Sequence, residues 1–175
     1  ALLDYTNQIN IAFERDIALR LQLFADQEKL IFTDPGGDPF FGQTVQEFAA
    51  QNNNVIKTYV GFTNFDIGHV YARYISGTAA GVAGGLACTN DKAAGCSADN
   101  GTGRYSQRFV DVIGQELGHQ FTGGHTWNRC EETGGRSARG AFEPGSGTTI
   151  MSYGGVCGSD NVTNGTDTYY HTGSI

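Results

Sequence analysis

The 175-residue chain is predicted to form a single domain, residues 1–175, of the α/β (α+β) class. Apolar residues recur at helical spacing near the amino terminus and again in residues 105–121. In residues 17–24 they alternate strictly with other residues, which is typical of a half-buried strand. The length is sufficient for one domain with its own core. We therefore expect one core to which both helices and strands contribute.

The first forty residues predict a helix, two strands and a loop. Residues 2–14 fit an amphipathic helix with polar residues between its apolar positions. Residues 17–24 predict the alternating strand, and residues 30–32 predict a short strand that pairs with it. Residues 33–39 are rich in Gly, Pro and Asp, which predicts a loop.

A second helix is predicted over residues 45–57. Thr44 stands at its N-cap position, and Glu47 follows three residues later, which is the pattern of a capping box. Residues 65–71 are interpreted as a strand or the approach to one. His69, within that segment, is either a metal ligand or a histidine held by a local hydrogen bond, and we favour the hydrogen bond.

The third predicted helix, residues 105–121, has two distinct faces. One face carries an apolar stripe expected to face the core: Val110, Ile113, Leu117 and Phe121. Gln115 and His119 fall on the opposite side, one helical turn apart. A helix buried on both faces would fit the floor of a cleft.

Residues 115–125 resemble the zinc-binding pattern H-E-x-x-H-x-x-G-x-x-H. Three positions are in register: Glu116, His119 and His125. Two positions depart from the pattern: Gln115 stands at the first histidine position and Thr122 at the glycine position. Downstream, Met151 lies in a segment that fits a methionine turn.

The spacing of this pattern has a chemical reason. Residues four apart lie on one face of a helix, so positions 115 and 119 can face the same ion. Catalytic zinc takes three protein ligands and keeps one position for water, whose proton Glu116 would accept. Because threonine is poorly suited to positive φ, we expect the turn after the helix to shift from Thr122 onto Gly123.

The motif and its surroundings resemble the metzincin metallopeptidases, specifically their secreted bacterial reprolysin-like branch. The resemblance is carried by the motif and by three further segments: residues 65–70, 125–128 and 142–153. It implies a zinc endopeptidase with a mixed twisted sheet, a long active-site helix and a methionine turn.

The resemblance also implies roles for individual residues. Zinc would be bound by His119 and His125, with the amide of Gln115 as a weak third ligand or no ligand. Glu116 would be the general base, and Met151 would form the apolar floor of the site. Tyr153 would bind the metal, stabilise the oxyanion or serve as a buried structural hydroxyl.

An edge strand along the cleft is also implied by the resemblance. A peptide substrate would bind to it as an added, extended strand. The segment assigned to this role contains small and apolar residues: Val82, Ala83, Gly84, Gly85 and Leu86. Its glycines would let a peptide backbone come close. The alternative is a flexible loop.

Four cysteines allow three pairings into two disulfides. We favour Cys88–Cys96, which would close a short loop, and Cys130–Cys157, which would join the segments that follow His125 and Met151. An even number of cysteines fits an exported protein. The alternative is that the cysteines are free and buried.

Composition excludes several other classes of protein. The net charge of −7 and the pI near 4.9 argue against nucleic-acid binding. No apolar run approaches the roughly 20 residues of a membrane span. We expect a secreted monomer, processed or partial in extent.

Three polar residues are weak calcium candidates, with a solvated loop as the alternative: Asp160, Asn161 and Asp167.

The two motif departures keep other hypotheses open. With Gln115 in place of the first histidine, the chain would alternatively be a metzincin-derived protein-binding module with impaired catalysis, because imidazole is a better zinc donor than an amide oxygen. A further alternative is that residue 115 or 122 is misidentified. The sequence leaves the side-chain preference for substrate open.

Overall fold

The computed structural model describes residues 1–73, 76, 79–99 and 106–175. The chain divides into two compact units. The first comprises Ala1–Thr6 and Gln22–Phe121, and the second comprises Asn7–Leu21 and Thr122–Ile175. Helix α1, Leu2–Ile17, contributes its first residues to the first unit and the rest to the second. None of the described helices is long and apolar enough to cross a membrane.

The sheet of the first unit is mixed. Its described strands are β1, Val70–Arg73; β2, Gly81–Ala83; and β3, Gly95–Asp99. Strand β3 is central, parallel to β1 and antiparallel to β2. The small mixed sheet together with the helices agrees with the predicted α+β class. Strand β3 is not predicted from the sequence, because its small residues lack the β-branched and aromatic types that favour strands.

Helices α2, Val45–Tyr59, and α3, Gln107–Gln120, both pack on the sheet. Successive residues of a strand point to opposite faces. Cys96 of β3 belongs to a core cluster with Val45 of α2. A Cβ on Gly95, the preceding residue, would collide with Gln120 of α3. The sheet therefore lies between the two helices.

The helix predictions are confirmed with small changes at their ends. Thr44 caps α2, accepting from the Glu47 backbone N–H at 3.3 Å, and the Glu47 carboxylate accepts from the Thr44 backbone N–H at 3.1 Å. Helix α1 ends three residues later than predicted, and α2 ends two residues later. Residues 33–39 form the predicted loop.

Two strand predictions are wrong. Residues 18–24 are irregular, because Ala18 takes a φ of 54° and ends α1. The Leu21 backbone N–H donates to the Asn10 side-chain oxygen at 2.7 Å, and the Asn10 amide donates to the Leu21 carbonyl at 2.9 Å. A side chain therefore takes the place of the hydrogen bonds that a neighbouring strand would make. Residues 30–32 form no strand either: a short 3₁₀ helix ends at Leu30, and the Phe32 ring packs edge-on against Tyr59.

The described part of the second unit contains little regular structure beyond α1. Phe13 of α1 is fully buried, with its ring edge-on to Tyr170 at 5.6 Å between centroids. The Tyr170 backbone N–H donates to the Asp16 carboxylate at 2.8 Å. Most of the remaining chain is organised by turns, a disulfide and side-chain hydrogen bonds.

Candidate active site

Helix α3 carries the first half of the motif. Ser106 caps its start, where the side-chain hydroxyl accepts from the Phe109 backbone N–H at 3.2 Å. Three residues of the predicted stripe are buried, namely Val110, Ile113 and Leu117, whereas Phe121 follows the end of the helix and is half-buried. Gln115 and His119 are half-buried, as expected for the face opposite that stripe. One turn of the helix separates them, which agrees with the spacing that two ligands of one ion require.

Glu116 is buried under the edge of the sheet. Its side chain lies against Gly81 of β2, where a Cβ would come within 2.8 Å of the carboxylate Oε1. Only a glycine therefore allows this approach. Glu116 is 8% exposed, and burial raises its pKa to about 7. A carboxylate with such a pKa is suited to accept and return a proton near neutral pH.

Strand β2 lies at the edge of the described sheet, as the substrate-strand hypothesis requires. Val82 and Ala83 belong to it, but the strand is shorter than expected and ends there. The Gly84 backbone N–H still donates to the Ala94 carbonyl at 2.6 Å. Gly85 and Leu86 follow in the connecting segment, and Leu86 is exposed.

Hydrogen bonds hold the His69 ring, but their partners are distant in sequence and not local as expected. Its Nδ1 lies 2.7 Å from Gln120 Oε1, and its Nε2 lies 2.9 Å from Ser97 Oγ. Burial lowers its pKa to about 4, so the ring is neutral at ordinary pH. The Gln120 amide also donates to the Gly68 carbonyl at 3.1 Å. These bonds anchor the end of α3 directly after His119. Sequence reasoning did not identify Gln120.

The turn after α3 corrects one expectation. Thr122 itself has a φ of 72°, and Gly123 is not among the positive-φ glycines of the described chain. The turn has therefore not moved to Gly123. The backbone conformation of the motif's glycine position is kept with a threonine in it, at a cost of roughly 1–2 kcal/mol.

His125 lies in an aromatic cluster of the second unit. Its ring centroid is 4.2 Å from that of Trp127 and 4.9 Å from that of Tyr153. The Trp127 and Tyr153 rings stack at 3.9 Å. Tyr153 thus lies next to His125, and its ring packs on the tryptophan. The cluster restricts the orientations available to the His125 imidazole.

Met151 is fully buried in the same unit. Its backbone carbonyl accepts from the Thr126 backbone N–H at 3.3 Å. The residue after His125 is therefore bonded to the methionine of the turn. The role of Met151 as the apolar floor of the site stays a prediction.

Glu143 belongs to the segment 142–153 that carried the resemblance, but the sequence did not single it out as a candidate site residue. Burial acts to raise its pKa, but the hydrogen bonds from Thr126, Thr148 and Thr149 outweigh burial and hold the pKa below its usual value. Glu143 is 7% exposed. The only sequence signal was a charged residue in a segment otherwise rich in Gly, Ser and Thr.

One of the two predicted disulfides is formed. Cys130 and Cys157 are bonded, and both are buried beside Trp127. The Cys88–Cys96 prediction is corrected, because both residues are free thiols. Cys96 faces α2 within the core, where burial raises its pKa to about 12, whereas Cys88 is exposed.

Two of the three calcium candidates have other partners. Asp160 pairs with Arg129 at 2.9 Å, and it accepts from the Glu131 backbone N–H at 3.1 Å. The Asn161 side-chain oxygen accepts from the Cys157 backbone N–H at 2.8 Å. The structure gives the calcium hypothesis no support. Among the described residues, no group of three or more His, Cys, Asp or Glu side chains is placed to hold a metal.

The motif's donor set is compatible with zinc in its chemistry. His119 in the first unit and His125 in the second are both half-buried, and each supplies an imidazole nitrogen. Gln115 supplies an amide oxygen, which is a weaker donor for zinc. In chemistry alone, these side chains are donors that zinc accepts, with the amide oxygen as the weak one.

Comparison with protein families places the whole chain in one group. The family model described as metallo-peptidase family M12B, reprolysin-like, matches residues 1–175. A search of curated proteins found no significant match.

Proposed function

The chain belongs to the reprolysin-like metallopeptidases of family M12B, and we propose that it is a secreted zinc-dependent endopeptidase. The observation that carries this proposal is the position of Glu116. Its carboxylate is buried against Gly81 of the edge strand β2, next in sequence to Gln115 and three residues before His119. A proton acceptor, ligand candidates and a strand edge are thus combined in one unit.

His119 and His125 would hold the zinc ion, with the Gln115 amide oxygen as a weak third ligand. When bound, zinc supplies a positive charge that lowers the pKa of a coordinated water to about 7. Glu116 accepts the proton of the attacking water and returns it to the leaving amine. Its burial supports this role, since a pKa of about 7 allows both transfers near neutral pH.

The substrate would bind as an extended strand along β2. The backbone groups at the outer edge of this strand would pair with the peptide. The half-buried Val82 would contribute to this surface, and Gly84 and Gly85 would allow close approach. A peptide bound there would lie above the Glu116 carboxylate, because Gly81 of the same strand contacts Glu116.

Tyr153 would stabilise the developing oxyanion with its hydroxyl or contribute that hydroxyl to the metal site. Its position beside His125, at 4.9 Å between ring centroids, supports this assignment. Met151 would form the buried apolar floor below the same histidine.

Secretion is supported by the Cys130–Cys157 disulfide, since such bonds persist in oxidising environments. The acidic charge of −7 is consistent with a protein that stays soluble outside the cell. We expect it to act as a monomer.

A second candidate function is a protein-binding module that has kept the fold and lost catalysis. Gln115 is the observation that favours it, because an amide oxygen binds zinc less well than imidazole nitrogen. Such a module would hold an extended peptide at β2 without cleaving it.

The Glu116→Gln variant tests the endopeptidase. It removes a proton acceptor and little volume, so hydrolysis of denatured casein should fall by roughly 10²–10⁴-fold. The matched control is Asp111→Asn, which neutralises a carboxylate of the same helix that accepts from the Gln107 side chain at 2.9 Å. The control should retain the wild-type rate.

Two outcomes would contradict the proposal. A Glu116→Gln variant that keeps most of the rate would show that another group is the base. A wild-type protein that binds peptides tightly without cleaving them in the presence of zinc would support the binding module instead.

A further inference from the structure

Glu143 is a buried carboxylate at the centre of a set of hydrogen-bond donors. The Thr126 hydroxyl donates to Oε2, and the Thr149 hydroxyl donates to the same oxygen at 2.7 Å. The backbone N–H groups of Thr148 and Thr149 donate to Oε1 at 3.0 and 3.1 Å. Four donors from two separate segments therefore converge on one side chain.

The backbone of Glu143 bonds the same segment that follows His125. Its N–H donates to the Thr126 carbonyl at 2.9 Å, and its carbonyl accepts from the Asn128 N–H at 2.9 Å. Residues Trp127 and Glu143 form a parallel bridge. The segment after His125 is therefore tied to Glu143 through both backbone and side chain.

The side chain extends this tie to the methionine turn. Thr148 and Thr149, which donate to Oε1, come directly before the turn that contains Met151. The Thr126 N–H donates to the Met151 carbonyl at 3.3 Å. The Glu143 carboxylate thus sits between the residue that follows His125 and the residues that lead into Met151.

The donors around Glu143 favour a carboxylate, because all four donate to its oxygens. An ionised carboxylate accepts from all four groups as they stand, whereas the NH₂ of a glutamine would require the threonine hydroxyls to turn and accept. Gly147, at a φ of 70°, leaves the required space, since a Cβ there would lie 2.9 Å from Glu143 Oε2. The turn is therefore shaped around a negative charge.

We propose that Glu143 is a positioning residue for His125. It acts through Thr126, holding the backbone beside the last motif histidine against the methionine turn. This inference rests on the proposed zinc site. Its consequence is that removing the carboxylate weakens metal binding in a protein that is still folded.

Trp127 provides a probe for this effect. It is the single tryptophan of the chain, and its ring centroid lies 4.2 Å from that of His125. A Co²⁺ ion bound by His125 would quench its fluorescence. Titration of the metal-free protein with Co²⁺ therefore gives both an affinity and a quenching amplitude, without any measurement of catalysis.

The first test compares Glu143→Gln with wild type in this titration. We expect Co²⁺ affinity to fall by at least about tenfold, the size of loss typical for groups that support a metal ligand. The matched control is Glu131→Gln, the same chemical change at an exposed carboxylate of the same unit, paired with Arg129 at 2.9 Å. Its affinity should stay within about twofold of wild type.

The Thr126→Val variant keeps the test decisive if Glu143→Gln does not fold. It removes one hydroxyl donor to Glu143 and keeps the side-chain shape. Its Co²⁺ affinity should also fall. In the double variant the two losses should be less than additive, because both changes break the same hydrogen bond.

The outcomes distinguish the role of Glu143 from the presence of the zinc site. Equal Co²⁺ affinities in wild type and in a folded Glu143→Gln variant would overturn the role of Glu143. An unchanged affinity in Thr126→Val would do so where Glu143→Gln is unfolded. A wild-type protein whose fluorescence does not respond to Co²⁺ would overturn the zinc site itself, and with it this inference.

Discussion

Glu116 beneath the edge strand and Glu143 beside the methionine turn are almost equally buried, at 8% and 7% exposure. Their pKa values nevertheless move in opposite directions. Burial raises that of Glu116 to about 7, whereas at Glu143 burial is outweighed by donors from Thr126, Thr148 and Thr149. The surroundings of a buried carboxylate thus decide whether it is a fixed anion or a group that exchanges a proton.

This difference separates two tasks that the same residue type performs. At Glu116, the contacts are with a glycine of a strand edge, and the carboxylate is suited to react. At Glu143, four donors make the carboxylate part of the framework that supports His125. A carboxylate that exchanges protons must have its negative charge only partly stabilised by its surroundings. A carboxylate that positions another residue must have that charge fully stabilised by hydrogen-bond donors.

The largest expected effect on stability comes from neutralising Glu143, with neutralisation of Glu116 as the comparison. Glu143→Gln should lower the free energy of unfolding by about 2–3 kcal/mol, because buried donors lose their acceptors. Glu116→Gln should cost less than about 1 kcal/mol, since burial already disfavours its charged form. Denaturant unfolding of the metal-free variants at neutral pH measures both.

The pH dependence of this pair sharpens the comparison. Because the folded-state pKa of Glu143 lies below the usual 4.5, its contribution is complete above that pH and is lost as the pH falls through the folded value. The stability difference between wild type and Glu143→Gln should therefore shrink below about pH 4.5. A difference that is constant down to pH 3 would contradict an ionised Glu143.

The next largest effect concerns the weak donor on α3. Gln115→His would supply an imidazole in place of the amide, and it should raise both zinc affinity and caseinolytic activity at least about tenfold. Competition with a chelator measures the first quantity, and a protease assay measures the second. Tighter zinc without activity would favour the binding module. No change in either quantity would mean that position 115 does not face the metal.

The smallest expected effect is at the turn that separates the two halves of the motif. Thr122 has a φ of 72°, so Thr122→Gly relieves backbone strain but adds freedom to the unfolded chain. We expect a net gain of roughly 0.5–1 kcal/mol, seen as a rise of about 1–4 °C in Tm. Thr122→Ala, which keeps a Cβ, should give no such gain. A lower Tm for the glycine variant would show that the threonine side chain stabilises the turn.

The residues alone specify the features that depend on neighbours within one turn of a helix. The capping box of α2, the buried stripe of α3 and the relative positions of Gln115, Glu116 and His119 follow from spacings of three and four residues. These interactions are local, so the residues alone specify them.

Tertiary structure decided the strands, the environments of the carboxylates and the cysteine pairing. Strand β3 forms because α2 and α3 cover its small residues. Residues 17–24 alternate more regularly but form no strand, and Leu21 in this segment bonds to the Asn10 side chain instead. Cys96 was assigned to a disulfide by its proximity in sequence to Cys88, but it is a core residue.

The same limit applies within the candidate site. The motif identifies Glu116, yet its burial against Gly81 depends on a strand 35 positions earlier, and Glu143 acquires its role from Thr126, 17 positions away. Desolvation and convergent hydrogen bonds arise only when distant segments come together. The sequence motif therefore specifies which groups are present, and the fold decides whether each group reacts with a substrate or supports another residue.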